Sequence, residues 1–177
     1  VAGGDFENAD LPGWETSGGH PAARTGEAAR EGDWALRLGP VEDGPDDFDY
    51  AAAAQAITLP VGVVSATLSL WVRPIDVSPE DAVIVELRRP ADGTRIRLLG
   101  PQMAGAPGEW SPYHLALPVE RPGRDLEIYL AVLNRGQDDE VGGRTAVAVD
   151  DVALVVCARP PVRTYTRHLP WATGTLR

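Results

Sequence analysis

The stretch SATLSLWVRP, residues 65–74, decides the fold class. Successive side chains of a strand point to opposite faces, so Leu68, Leu70 and Val72 share one side and Ser69, Trp71 and Arg73 the other. This period of two marks a strand with one buried face, and it recurs along the chain between turn residues. In WALRL (34–38), Trp34, Leu36 and Leu38 share a face, opposite Ala35 and Arg37. AVIVELRRPADGTRIRLLG (82–100) reads as a hairpin whose Asp92-Gly93 supplies the positive φ of a tight turn. YHLALP (113–118), DLEIYLAVLN (125–134) and TAVAVDDVALVV (145–156) complete a set of about eight or nine strands. The best helical competitor is YAAAAQAITLP (50–60), which has alanine propensity but ends in a β-branched run closed by Pro60. It is read as a strand. The expectation is one all-β domain, an antiparallel sandwich or barrel without βαβ units.

Composition agrees. Hydrophobic residues make up 44% but aromatics only 6%, so Val, Leu and Ala must build the core, and 19 Gly with 16 Pro provide frequent turns. A single core over residues 1–156 is expected, followed by an extended tail or linker, 157–177, with arginines and prolines but no acid. The chain starts with neither Met nor a signal peptide, which fits a mature or excised domain. No apolar run reaches the roughly 18 residues of a membrane span.

The net charge is -10, and all 16 basic residues are arginine. Phosphate binding needs a basic face, so no nucleic-acid partner is expected. Cys157 is the one cysteine; it is read as a small buried hydrophobe, not a reactive thiol. The acidic loops at 42–49 and 138–140 read as solvated connections, with a second cation site as the competing reading.

Catalytic motifs are missing. There is no nucleophile elbow, P-loop, dinucleotide fingerprint or zinc signature, and His20, His114 and His168 are far apart in sequence. A carboxylate pair drawn from 26 acidic residues carries little meaning. No enzyme is expected. The two ends are more informative: GDFE (4–7) and VDDV (149–152) bring carboxylates that a sandwich can set side by side, and calcium takes six to eight oxygen ligands from carboxylates and carbonyls. Surface or capping carboxylates are the competing reading.

The order GGDFE, GW, GDWALRLG, AQAITLP, LSLWVRP, DGTRIRLL, YHLALP, LEIYLAVLN, TAVAVDDVAL resembles the carbohydrate-binding-module type of jelly roll, the galactose-binding-like domains of secreted bacterial proteins. The resemblance covers residues 1 to about 156 and implies an antiparallel β-sandwich jelly roll. It implies a structural calcium with Glu7 and Asp150 as acidic ligands and the turn at Asp33 adding another. Gly3 stands where such domains usually have Asn, and Asp5, at a variable position, is expected to face solvent. It also implies an extracellular, secreted or cell-surface protein with further domains, and a glycan or polysaccharide ligand.

A pyranose presents an apolar C–H face to an aromatic ring while polar side chains read its hydroxyls. Trp71, with Arg73 on its face, is the first candidate for sugar binding, and Tyr129, sharing a face with Glu127, the next. For Trp71 core packing competes with ligand stacking. Trp34 and Trp110 read as core or core-edge, Trp14 as packed beneath the first turn, and Trp171 as part of the tail. The leading function is non-catalytic carbohydrate binding; the alternative is a structural or protein-contact module without a sugar site.

Overall fold

A computed structural model of the chain describes residues 1–40, 48–99, 106–117, 125–135 and 145–159. Most of the first acidic loop, the acidic run 138–140, and the tail with His168 and Trp171 lie outside the described residues. The strands are β1 (Glu15–Gly18), β2 (Ala23–Thr25), β3 (Ala35–Leu38), β4 (Asp49–Thr58), β5 (Val63–Asp76), β6 (Ala82–Arg89), β7 (Thr94–Leu99), β8 (Ser111–Leu117), β9 (Asp125–Asn134) and β10 (Ala146–Ala158). No helix occurs among the described residues, and so none that is long and apolar enough to cross a membrane.

Two five-stranded sheets form an antiparallel jelly-roll sandwich, the first ordered β1-β4-β9-β6-β7 and the second β2-β3-β10-β5-β8. The core lies between them, built as the alternation predicts. Ala66, Leu68, Leu70 and Val72 of β5 and Leu36 and Leu38 of β3 meet Val83, Val85 and Leu87 of β6 and Leu126, Ile128, Leu130 and Val132 of β9. The alanine-rich segment is a strand because β9 pairs with it from Asp49 to Thr58, and Ala51 and Ala53 fill the narrow space beneath. Cooperative sheet pairing overrides alanine's helical preference. The count exceeds the expected eight or nine because β1 and β2, of four and three residues, are too short to show a period.

Where β10 pairs with β5, the register shifts between Asp150 and Ala153, and Asp151 has φ 51°. This β-bulge reverses the alternation. Val147 and Val149 point into the core before it; Val152 does so after it, with Leu154 and Val156 packed against the same core. The reversal turns Cys157 outward, correcting the expected buried position: the thiol is exposed. Trp34 departs from expectation too. It precedes the first residue of β3, so the alternation does not reach it, and it is 38% exposed.

Candidate functional site

The two ends of the chain meet at the bulge. The N–H of Val152 donates to the carbonyl of Gly4 at 2.8 Å, an approach so close that a Cβ on residue 4 would fall 2.0 Å from the Val152 oxygen. Phe6, at φ 53°, turns inward to a fully buried place against Trp14, ring centroids 5.6 Å apart. Trp14 lies beneath the first turn as expected, its indole N–H donating to the Gly3 carbonyl at 3.3 Å. With Phe6 anchored inside, Asp5 and Glu7 face outward.

Glu7 and Asp150 then grip one backbone segment from its two ends. Glu7 Oε1 accepts the N–H groups of Asp33 (3.0 Å) and Trp34 (2.9 Å). Asp150 Oδ2 accepts those of Arg30 (3.0 Å) and Glu31 (3.4 Å), and Oδ1 that of Asp151 (2.8 Å). Gly32, between them at φ 71°, lies where a Cβ would come 2.3 Å from Glu7 Oε1. Asp33 joins through its backbone, its side chain being exposed. Asp150 is 1% exposed, and burial pushes its carboxyl above the ordinary range against the pull of its N–H donors. Among the described residues neither Glu7 nor Asp150 forms an ion pair: the Arg30 guanidinium reaches Asp151 instead, and Arg24 donates to the carbonyls of Phe6 (2.7 Å) and Glu7 (2.8 Å).

These residues fit a hard cation in part. Two carboxylates without a partner cation converge on one loop, one of them buried, which is the charge imbalance a divalent ion relieves. Among the described residues no three His, Cys, Asp or Glu side chains gather, so the remaining ligands would be carbonyls and water, as calcium accepts.

The three residues expected to bind sugar do not come together. Trp71 and Arg73 alternate with core residues of β5 and face outward from the second sheet, whereas Tyr129 alternates with Ile128 and Leu130 and faces outward from the first. The Arg30 guanidinium lies over the Trp71 ring at 3.9 Å, leaving it half-buried. Arg24 covers Trp34 in the same way at 4.1 Å, and Trp110, expected at the core or its edge, packs instead against a separate small cluster, Ala28, Ala35 and Ala148, on the outer face of the second sheet. His20 bonds the Asp49 carboxylate, while His114 pairs with Ser69 in the other sheet.

Around Tyr129 the outer face of the first sheet carries a polar cluster that the alternation alone does not reveal. Cross-strand pairing sets Glu86 beside Tyr129 and Arg88 beside Glu127. Arg88 lies over the Tyr129 ring at 3.2 Å, donates from Nε to Glu86 Oε2 at 3.1 Å and from Nη1 to Glu127 Oε1 at 3.4 Å. Glu86 is 2% exposed although it points away from the core. Burial works against the Arg88 charge, yet the Glu86 carboxylate beside it raises the guanidinium above its ordinary range. Next to this cluster the cross-strand partners Ala52 and Ala131 are buried although they point away from the core between the sheets.

No family model matches the chain, and no curated protein does. Solved structures do. A family 61 carbohydrate-binding module in complex with β-1,4-galactotriose superposes with TM-score 0.60 at 14% identity, over 88% of this chain and 97% of that one. The CBM22-2 xylan-binding domain from Paenibacillus barcinonensis superposes with TM-score 0.57 at 18% identity, over 87% of this chain and 98% of that one. The chain has the fold of carbohydrate-binding modules. The same sandwich also matches 21% of the enzymatically active domain of bacteriophage CBA120 tailspike protein 4, at TM-score 0.60 and 15% identity over 89% of this chain. At such identities the likeness is one of fold, and function rests on the residues of the module itself.

Proposed function

We propose that the chain is a non-catalytic carbohydrate-binding module of a secreted or cell-surface protein, and that it holds its glycan on the outer face of the first sheet at Tyr129. The carrying observation is the cluster of Arg88, Glu127 and the buried Glu86 packed around that ring on the outer face of the sheet. An aromatic edge for a pyranose C–H face, next to charged groups that donate to and accept from hydroxyls, is the chemistry sugar recognition requires.

The reading includes a structural calcium at the junction of the termini, held by the carboxylates of Glu7 and Asp150 with the backbone at Asp33 contributing. Its role there is to neutralise the two carboxylates and tie the ends of the chain to the core.

A glycan array probed with the intact chain and with Tyr129→Ala tests the sugar reading. Retention of a neutral glycan that the variant loses, at an unchanged melting temperature, is the expected result. Equal retention by both would move the site elsewhere, and no retention by either would favour the structural or protein-contact module.

A further inference from the structure

The outer face of the second sheet, on the opposite side of the sandwich from Tyr129, holds a cavity of about 200 Å³. Thr25, Glu27, Arg37, Arg73, Ile75 and Gly108 are among its lining residues. Arg37 of β3 and Arg73 of β5 are both cross-strand partners of Ala148 on the strand between them, so two guanidinium-bearing side chains flank a methyl group. Arg73 donates from Nε to the Gly108 carbonyl at 2.9 Å. Arg37 has an enclosed Nε–H without an acceptor, and among the described residues it forms no ion pair. A buried charged donor left without an acceptor is unfavourable, and this one lines a cavity in a chain of net charge -10.

Glu27 lines the same cavity and, among the described residues, pairs with neither arginine; its N–H donates to the Thr25 hydroxyl at 3.3 Å. Ala28, Pro40 and Ile75 add apolar wall. Two guanidinium groups, a carboxylate and an apolar side suit a small molecule with one planar anionic group, several hydroxyls and a C–H face. We propose that this cavity binds the carboxylate of an acidic sugar residue, a uronate, through Arg37 and Arg73. Arginine's fork matches a planar carboxylate, and Glu27 can accept from the hydroxyls. The volume lies below the roughly 300 Å³ at which pockets for larger ligands begin, so one residue enters, either a free uronic acid or the end of an acidic polysaccharide.

Titration calorimetry with galacturonic acid, galactose, acetate and oligogalacturonate tests the proposal. Galacturonate and its oligomer bind, galactose and acetate do not, and Arg37→Met or Arg73→Met weakens binding by about tenfold or more, the loss of one charge-assisted hydrogen bond. Arg37→Met holds or raises the melting temperature, because it removes a donor that lacks an acceptor. Glu27→Gln strengthens binding by removing a like charge. Tyr129→Ala leaves uronate binding intact, so failure here and failure of the neutral-glycan site are read separately. The proposal is overturned by galactose or acetate binding as well as galacturonate, by wild-type affinity in both arginine variants, or by no heat from either uronate probe.

Discussion

Arg30 lies over Trp71, its guanidinium carbon 3.9 Å from the ring centroid, and the same group reaches the Asp151 carboxylate in the β10 bulge. The loop that Glu7 and Asp150 grip by its backbone is thus also pinned by its own side chain, across the one tryptophan that sequence singled out as a sugar platform. Arg30→Ala should cost about 1 kcal/mol, the scale of a partly buried cation–π contact with an ion pair, and should shift tryptophan fluorescence. Glycan retention should not change. Loss of retention in this variant would return the sugar site to Trp71.

Calcium binding to the folded state alone adds about 2.7 kcal/mol at a hundredfold excess over its dissociation constant. Glu7→Gln and Asp150→Asn should therefore lower the melting temperature strongly in calcium and much less in chelator. Equal losses in both conditions would leave the carboxylates as acceptors for the 30–34 backbone and nothing more.

The β6–β7 hairpin should loosen in acid. Thr94, through its hydroxyl and its N–H, and the Arg89 guanidinium hold the Asp92 carboxyl down to about 2 from an ordinary 3.8. A carboxyl depressed in the folded state contributes fully above its unfolded value and loses that contribution as pH falls from 3.8 towards about 2. Amide exchange at Thr94 should accelerate over that window, and Asp92→Asn should abolish the step. An unchanged step in the variant would assign it to another carboxylate.

Cys157, turned outward by the bulge, should be labelled by a thiol reagent in the native protein without denaturant. Labelling that requires denaturant would mean that the alternation does not reverse at Asp151.

Phe6→Ala should cost about 3–5 kcal/mol in denaturant melts, since the ring is fully buried against Trp14 and its removal leaves a cavity. A cost near zero would show that the first turn is not part of the core.

The alternation in SATLSLWVRP, DLEIYLAVLN and the Asp92-Gly93 hairpin determined the sandwich, because the side-chain period of a half-buried strand is a local property that needs no partner to be read. GDFE and VDDV offered carboxylates at the two ends, and the sandwich brings those ends together at the Gly4–Val152 hydrogen bond. Two things were not local. One was parity: the bulge at Asp151 reverses which side chains face the core, and nothing in VDDV itself announces it; Cys157, read as a small buried hydrophobe from the usual behaviour of a lone cysteine, lies outward. The other was the partner across the sheet. Trp71 and Tyr129 look alike as outward aromatics, but register brings Glu86 beside Tyr129 and Arg88 beside Glu127, and packing lays Arg30 over Trp71 and Arg88 over Tyr129. Likewise Arg37 and Arg73, 36 positions apart in sequence, flank one cavity only because β10 runs between their strands. Which side chains meet depends on strand order and register, quantities fixed by the whole core at once and not by any stretch of the chain.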